Sequence, residues 1–468
     1  MAKLFWRLFD GRALLRGQEP TGEIPDNRSL LRQTLAIAWP STLESFLIAL
    51  VGMVDTIMVG GLGAYAISAV GLTNQPKLLG MCVFISLNVA VSALVARRKG
   101  EDDRVAANRV MKQALVITLV LAVVVSAVFV IFADPILDLA GTNEDTHASS
   151  VAYMRIIMGG LVFNVVSMVI NAAQRGVGNT KIAMRTNIVS NLVNIFFNYL
   201  FIGGKLGFPR LEVAGAAIAT VIGTVFACAM SLYSVSRPES YLYLGFSKGF
   251  HMEKSIMKSI GSLGSSTLVE QIFLRVGFMV SAIIVARLGT TPFAAHQIGM
   301  NLTSLAFALG DGLSVAAVAL VGQSLGAGRK DLARIYGNLC QRVGLLFAAM
   351  LSVLFALFGR ELFSLFTNET IILDYGEKIT SIAAFTVFLQ ISNVIFSGCL
   401  RGAGDVKYVA MVSLFSVALI RPISSYLFCY PLGLGLVGAW VSLALDLSVR
   451  VVLVFTRFAK GKWVDIKI

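Results

Sequence analysis

Arg175-Gly176-Val177-Gly178-Asn179-Thr180-Lys181 returns as Arg401-Gly402-Ala403-Gly404-Asp405-Val406-Lys407, each copy closing one apolar segment and opening another. The offset is 226 residues (401 − 175), and it also carries Leu62-Gly63 onto Leu288-Gly289, Ala93-Leu94-Val95 onto Ala319-Leu320-Val321, Gly100 onto Gly326 and Glu44 onto Glu270. One register without net slippage therefore links most of the first half to the second, which predicts an internal duplication. In a membrane, a duplication that keeps its carboxylates in matching places is the usual build of a secondary transporter, whose two lobes expose a midplane site alternately.

The chain has 468 residues, 56% of them apolar and 14% charged, with a mean hydropathy of +0.79. Those values lie far outside the range of soluble domains. Apolar runs of roughly 20 residues, each long enough to cross about 30 Å of hydrocarbon as a helix, recur twelve times. They run approximately over 34–60, 66–96, 106–133, 149–174, 181–203, 212–236, 255–286, 290–322, 332–358, 372–400, 407–431 and 436–458. The predicted fold is all-α and integral to the membrane: twelve transmembrane helices in two six-helix lobes, related by a pseudo-two-fold axis along the membrane normal. The expected divisions are an N-terminal segment 1–33, a first lobe 34–236, a connection 237–253, a second lobe 254–458 and a tail 459–468.

The net charge is +13. Its location decides what it means. The basic residues sit in alternate loops, including Arg97, Arg98, Lys99, Arg104 and Arg109, the middle connection and both tails, while the loops around 61–65, 133–146 and 430–436 carry almost none. By the positive-inside rule both termini are cytoplasmic, and the membrane expected is a plasma membrane. The basic excess is a topology signal, and no nucleic-acid partner is expected. Residues 1–33 are too charged to supply the core of a cleavable signal peptide, and the segment Leu4–Phe9 is either an interfacial segment on the cytoplasmic side or a frayed tail. The five cysteines read as buried small hydrophobes, and the three histidines are too scattered for a metal cluster or a catalytic dyad. With no Walker loop either, neither an enzyme nor an ATP-driven pump is expected, and no cofactor.

An intramembrane carboxylate costs several kcal/mol by insertion scales, so each is a functional candidate. Glu44 and Asp55 lie eleven residues apart on one face of the first span, about 16 Å from each other, with Pro40 one turn before Glu44 predicting a kink. In the fifth span Asn187, Asn191, Asn194 and Asn198 line one face. The fourth has a matching stripe of Asn164, Ser167, Asn171 and Gln174, and two such stripes can either satisfy each other or line a polar chamber. Shifted by 226, the fourth-span stripe becomes Gln390, Asn393 and Ser397, whereas the fifth-span stripe becomes Ser413, Val417, Ile420 and Ser424, largely apolar. This break predicts an asymmetric cation site, which only the first repeat has kept, around Asp55, Asn194 and Asn198. In the second repeat Glu270, Gln271, Arg275, Asp311 and Arg421 are charged or polar within spans. Glu270 is either an acidic anchor for a cationic substrate or second proton site, or one partner of a buried ion pair with Arg275 or Arg421.

Together these residues resemble the multidrug and toxic compound extrusion family over about 30–458. The resemblance is carried by Trp39-Pro40 through Glu44 to Val54-Asp55, by the paired Arg-Gly-x-Gly-(Asn/Asp)-x-Lys motif, by Ala294-Ala295-His296-Gln297-Ile298 and by the run Leu320–Gly328. It implies two six-helix lobes around a V-shaped chamber, and export of organic cations in exchange for Na+ or H+. By the same resemblance Asp55, Asn194 and Thr220 fall on the first-lobe cation site, Asp55 being where Na+ would bind, and Glu270 on a seventh-helix glutamate of some branches. Asn198 stands where many relatives have an aspartate and Asn393 where some have one, which tilts the expectation slightly toward H+. The expected assembly is a monomer in the lipid bilayer, with small organic cations and a coupling cation as its partners, and Asn164, Asn171, Asn187, Asn191, Gln390 and Asn393 as polar cavity lining. The rival within the superfamily is a flippase of lipid-linked oligosaccharides, which would need a cavity rich in Arg and Lys.

Overall fold

The computed structural model describes residues 9–15, 19–60, 62, 64–140, 142, 144–245 and 252–466. Among them the only regular structure is helical. In chain order the α-helices are α1 (Gly11–Leu14), α2 (Asn27–Gly60), α3 (Ala64–Gly100), α4 (Arg104–Ile131), α5 (Ala133–Leu139), α6 (Glu144–Gly159), α7 (Leu161–Gly176), α8 (Thr180–Phe201) and α9 (Glu212–Ser236). The second half supplies α10 (Lys254–Ala286), α11 (Thr290–Gly326), α12 (Lys330–Leu357), α13 (Gly359–Ser364), α14 (Thr370–Gly402), α15 (Val406–Phe415), α16 (Arg421–Cys429) and α17 (Gly435–Lys460). A π-turn, Ser416–Ile420, joins α15 to α16 without interrupting the span.

Ten of these helical stretches are long and apolar enough to cross a bilayer, and α6 with α7 makes an eleventh, bent by 47° at Gly160. The twelfth expected span is α8, 22 residues long, whose four asparagines lower its hydropathy. Glycine fixes how these helices end and meet. Gly178 and Gly404 hold left-handed backbone, φ 87° and 90°, where a side chain is strained. In front of them, a Cβ on Gly176 would lie 2.7 Å from the Ser92 carbonyl oxygen, and one on Gly402 2.6 Å from that of Val318. Ser92 and Val318 are themselves 226 residues apart (318 − 92), so the repeated motif is a repeated helix crossing.

The chain forms two compact units, Phe46–Gly264 and Met1–Ser45 with Ser265–Ile468. The dividing lines run through α2 and α10 and not through the 237–253 connection, so the units differ from the chain-order lobes by the first half of α2 and the first third of α10. Packing accounts for the first: a Cβ on Gly312 of α11 would sit 2.3 Å from the Thr42 Cα, and Leu30, Ile37 and Ala38 share a core with α11 and α12. Pro40 lies inside one continuous α2. Of the expected interfacial segment, residues 4–8 lie outside the described residues. Phe9 is buried in the same core, and Asn338 donates to the Leu14 carbonyl at 3.2 Å. Among the described residues of the Phe46–Gly264 unit, one apolar cluster gathers around Phe84, Leu137 and Met158 and another around Val59, Tyr153 and Ala217.

Candidate functional site

Within the Phe46–Gly264 unit, Asp55 of α2, Asn194 and Asn198 of α8 and Thr220 of α9 come together. Asn194 and Asn198 are four apart and so share a face of α8. Gly223 brings α9 close, since a Cβ there would lie 2.7 Å from the Ser190 carbonyl oxygen and 3.3 Å from the Asn194 Cβ. Asn198 is 1% exposed and its Nδ2 donates to Asp55 Oδ1 at 2.8 Å. The Asn198 Oδ1 atom is buried and accepts no hydrogen bond.

The geometry around the Asn194 amide admits either of two orientations, with different chemistry. With its nitrogen turned to Asp55 it donates to Oδ1 at 2.9 Å, and its oxygen accepts from Thr220 N and Oγ1 at 3.2 and 3.1 Å. With its oxygen turned that way, the nitrogen donates to Thr220 Oγ1 at 3.1 Å and the amide oxygen faces Asp55 Oδ1. An ionised carboxylate accepts only, so it selects the first orientation; a carboxyl carrying a proton, or a bound cation, selects the second. Lys77 of α3 and Tyr153 of α6, neither singled out by the sequence reading, lie within electrostatic reach of Asp55. Lys77 was legible by the rule applied to the carboxylates, as a charge within an apolar run.

The other expected residues are dispersed. Asn171 hydrogen-bonds Ser167 and accepts from Ser231 of α9, both at 3.3 Å, and Gln174 donates to Ser234 at 3.2 Å. These bonds join the fourth-span stripe to α9, where a fifth-span partner was one expectation. Asn164, Asn187, Asn191, Gln271 and Gln390 are half-buried, and Asn393 is buried. Glu44 is buried in the unit that contains Ser265–Ile468.

Glu270, 2% exposed, does pair with an arginine, but with neither of those expected. Arg401 Nη2 donates to Oε1 at 2.6 Å and Ser413 Oγ at 3.1 Å, so the arginine of the repeated motif neutralises it. Arg421 lies instead beside Asp446.

The MatE family description matches residues 40–200 and again 267–427. The chain is 28% identical over 456 residues to the probable multidrug resistance protein NorM of Thermotoga maritima, covering 96% of each. It is also 28% identical over 433 residues to the multidrug resistance protein MdtK of Yersinia pestis, covering 91% of this chain and 94% of that one. Among solved structures, an outward-facing multidrug resistance MATE transporter superposes with a TM-score of 0.86 at 21% identity, over 97% of this chain and 99% of that one. A MATE transporter in a straight conformation gives 0.85 at 21% identity, over 97% of both chains.

Proposed function

The chain belongs to the multidrug and toxic compound extrusion family, a family of transporters and not of enzymes, and on that premise we propose that it exports lipophilic, mostly cationic compounds in exchange for a cation bound at Asp55. The observation that carries this reading is the Asn194 amide, 2.9 Å from the Asp55 carboxylate and able to meet either of its charge states. Unloaded, Asp55 accepts from both asparagines. Loaded with a proton, it donates to the Asn194 oxygen, and the freed Asn194 nitrogen turns to Thr220. Loading also neutralises the charge facing Lys77, so the lysine then repels a cationic substrate, which gives the mutual exclusion that antiport requires. The lobes expose this site alternately to the two sides of a bacterial inner membrane, with both termini cytoplasmic and the monomer as the working unit.

A proton needs only this one carboxyl. Na+ would draw on oxygens of Asp55, Asn194, Asn198 and Thr220, and the unpartnered Asn198 Oδ1 supports that second reading. Efflux of ethidium from proteoliposomes under a separate pH or Na+ gradient decides between them. Efflux driven by the pH gradient alone is the expected result. No cation efflux under either gradient would overturn the exporter reading and favour a lipid-linked oligosaccharide flippase.

A further inference from the structure

The second repeat reaches the position equivalent to this site through the sequence Ser416-Val-Ala-Leu-Ile-Arg421-Pro422. Pro422 has no N–H to give to the helix ladder, and the backbone before it widens into the π-turn Ser416–Ile420. That turn holds one extra residue. Before it the repeats match at 226, as for Ser190 and Ser416 (416 − 190). After it they match at 227: the Phe201 carbonyl accepts from Leu211 N at 2.9 Å, as that of Phe428 (428 − 201) does from Leu434 N at 3.1 Å. The counterpart of Asn194 is therefore Arg421 (421 − 194 = 227) and not Ile420. On the last helix of each repeat, Ser190 Oγ donates to the Gly223 carbonyl at 2.8 Å and Ser416 Oγ to the Asp446 carbonyl at 3.1 Å. Asp446 thus occupies the place of Gly223.

The charges do not balance. Asp446, 0% exposed, receives Arg450 Nη2 at 2.6 Å and Ser416 Oγ at 2.5 Å, and lies 4.0 Å from Arg421 Nη1. Two guanidiniums share one carboxylate. Asp446 and Arg450 are the charges that act on Arg421, and Glu270, the acid of α10, is held by Arg401. Arg421 is 4% exposed, with its guanidinium over the Phe278 ring at 4.5 Å. Its Nη1 makes no hydrogen bond, and neither do the buried Trp440 Nε1 and His296 Nδ1. The His296 and Trp440 rings are in edge contact at 5.8 Å, and His296 feels the charge of Arg421. Two of these three orphan atoms can only donate. Unpaired buried charge and unmet buried donors are both costly, and one acceptor with a negative charge relieves both.

We propose that Arg421, Trp440 and His296 form a binding site for a compact anion, a halide or a carboxylate, in the second repeat. It stands where the first repeat carries its cation-selective aspartate and amides. Bound there, the anion takes the Arg421 and Trp440 N–H groups as donors and cancels the excess guanidinium charge, fixing the π-turn against α17.

The test is thermal unfolding of the purified protein in detergent, titrated with bromide or acetate at constant ionic strength against methanesulfonate. The expected result is a saturable rise in Tm with native protein, and a half-saturating concentration at least tenfold higher in Arg421→Gln and in Trp440→Phe. The second variant keeps the ring and removes only the donor, so it reads the site even where Arg421→Gln does not fold. A response to bromide alone identifies a halide site, and one to acetate alone a carboxylate site. An identical Tm in all three anions, or a native-like anion response in Trp440→Phe, would overturn the proposal.

Discussion

The two repeats keep one helix crossing and diverge in the polarity of what lies beyond it. Gly176 against Ser92 and Gly402 against Val318 are the same backbone contact made twice, and the turns that follow have matching hydrogen bonds, Asn179 N to Gln174 O and Asp405 N to Leu400 O, both 2.8 Å. Past that crossing, the first repeat sets a lone aspartate among amides and a hydroxyl, and the second sets two arginines around one aspartate. Duplication fixed the scaffold, where van der Waals contact allows no variation, and left the polar interior free to change sign. In the exporter proposed above, alternating access would rest on the first property and asymmetric coupling on the second.

The comparison breaks most readily at Glu270. Arg401→Gln leaves a buried carboxylate unpaired and should cost about 3–5 kcal/mol in chemical denaturation, with most of it restored in Arg401→Gln/Glu270→Gln; if the double variant stays as unstable as the single one, the pair is not what holds Glu270. Asp55→Asn should weaken gradient-driven efflux by about 5- to 150-fold, the span of a coupling energy of about 1–3 kcal/mol, while Glu270→Gln leaves the coupling intact. Equal losses in both would erase the asymmetry between the repeats. Gly176→Ala and Gly402→Ala each force a methyl against backbone and should destabilise the protein by about 1–3 kcal/mol, to similar extents. Markedly unequal values would mean that the two crossings are not equivalent. Smallest, Asn171→Ala should cost about 0.6 kcal/mol, the usual size of an interhelical hydrogen bond in a membrane, and leave ethidium efflux unchanged.

The helices, the duplication and the meeting of Asp55 with Asn194 and Asn198 were legible because hydropathy, glycine spacing and the cost of buried charge act locally along the chain, whereas Thr220 came from the family resemblance alone. The partner of Glu270 was not, since helical spacing reports which residues share a face and not which neighbouring helix turns toward it. Asn171 and Gln174 were open for the same reason, their serine partners on α9 being 60 residues away. The register of the second site failed through one residue. A π-turn adds it without disturbing the apolar run Val417-Ala418-Leu419-Ile420, so a fixed offset passes over it and sets Asn194 against Ile420. Pro422 was the visible sign. Asp446 and Arg450, four apart on one helix face, form an intrahelical ion pair that the same intramembrane-charge rule would have flagged.

The most direct test of the central claim, that substrate and coupling proton compete through Asp55, is proton release on substrate binding. Ethidium is added to the purified protein in weakly buffered detergent solution, with a pH dye as the readout. Native protein should release close to one proton per bound ethidium, and Asp55→Asn none at the same occupancy. Undiminished release from Asp55→Asn would contradict the account, as would ethidium binding to native protein with no proton released.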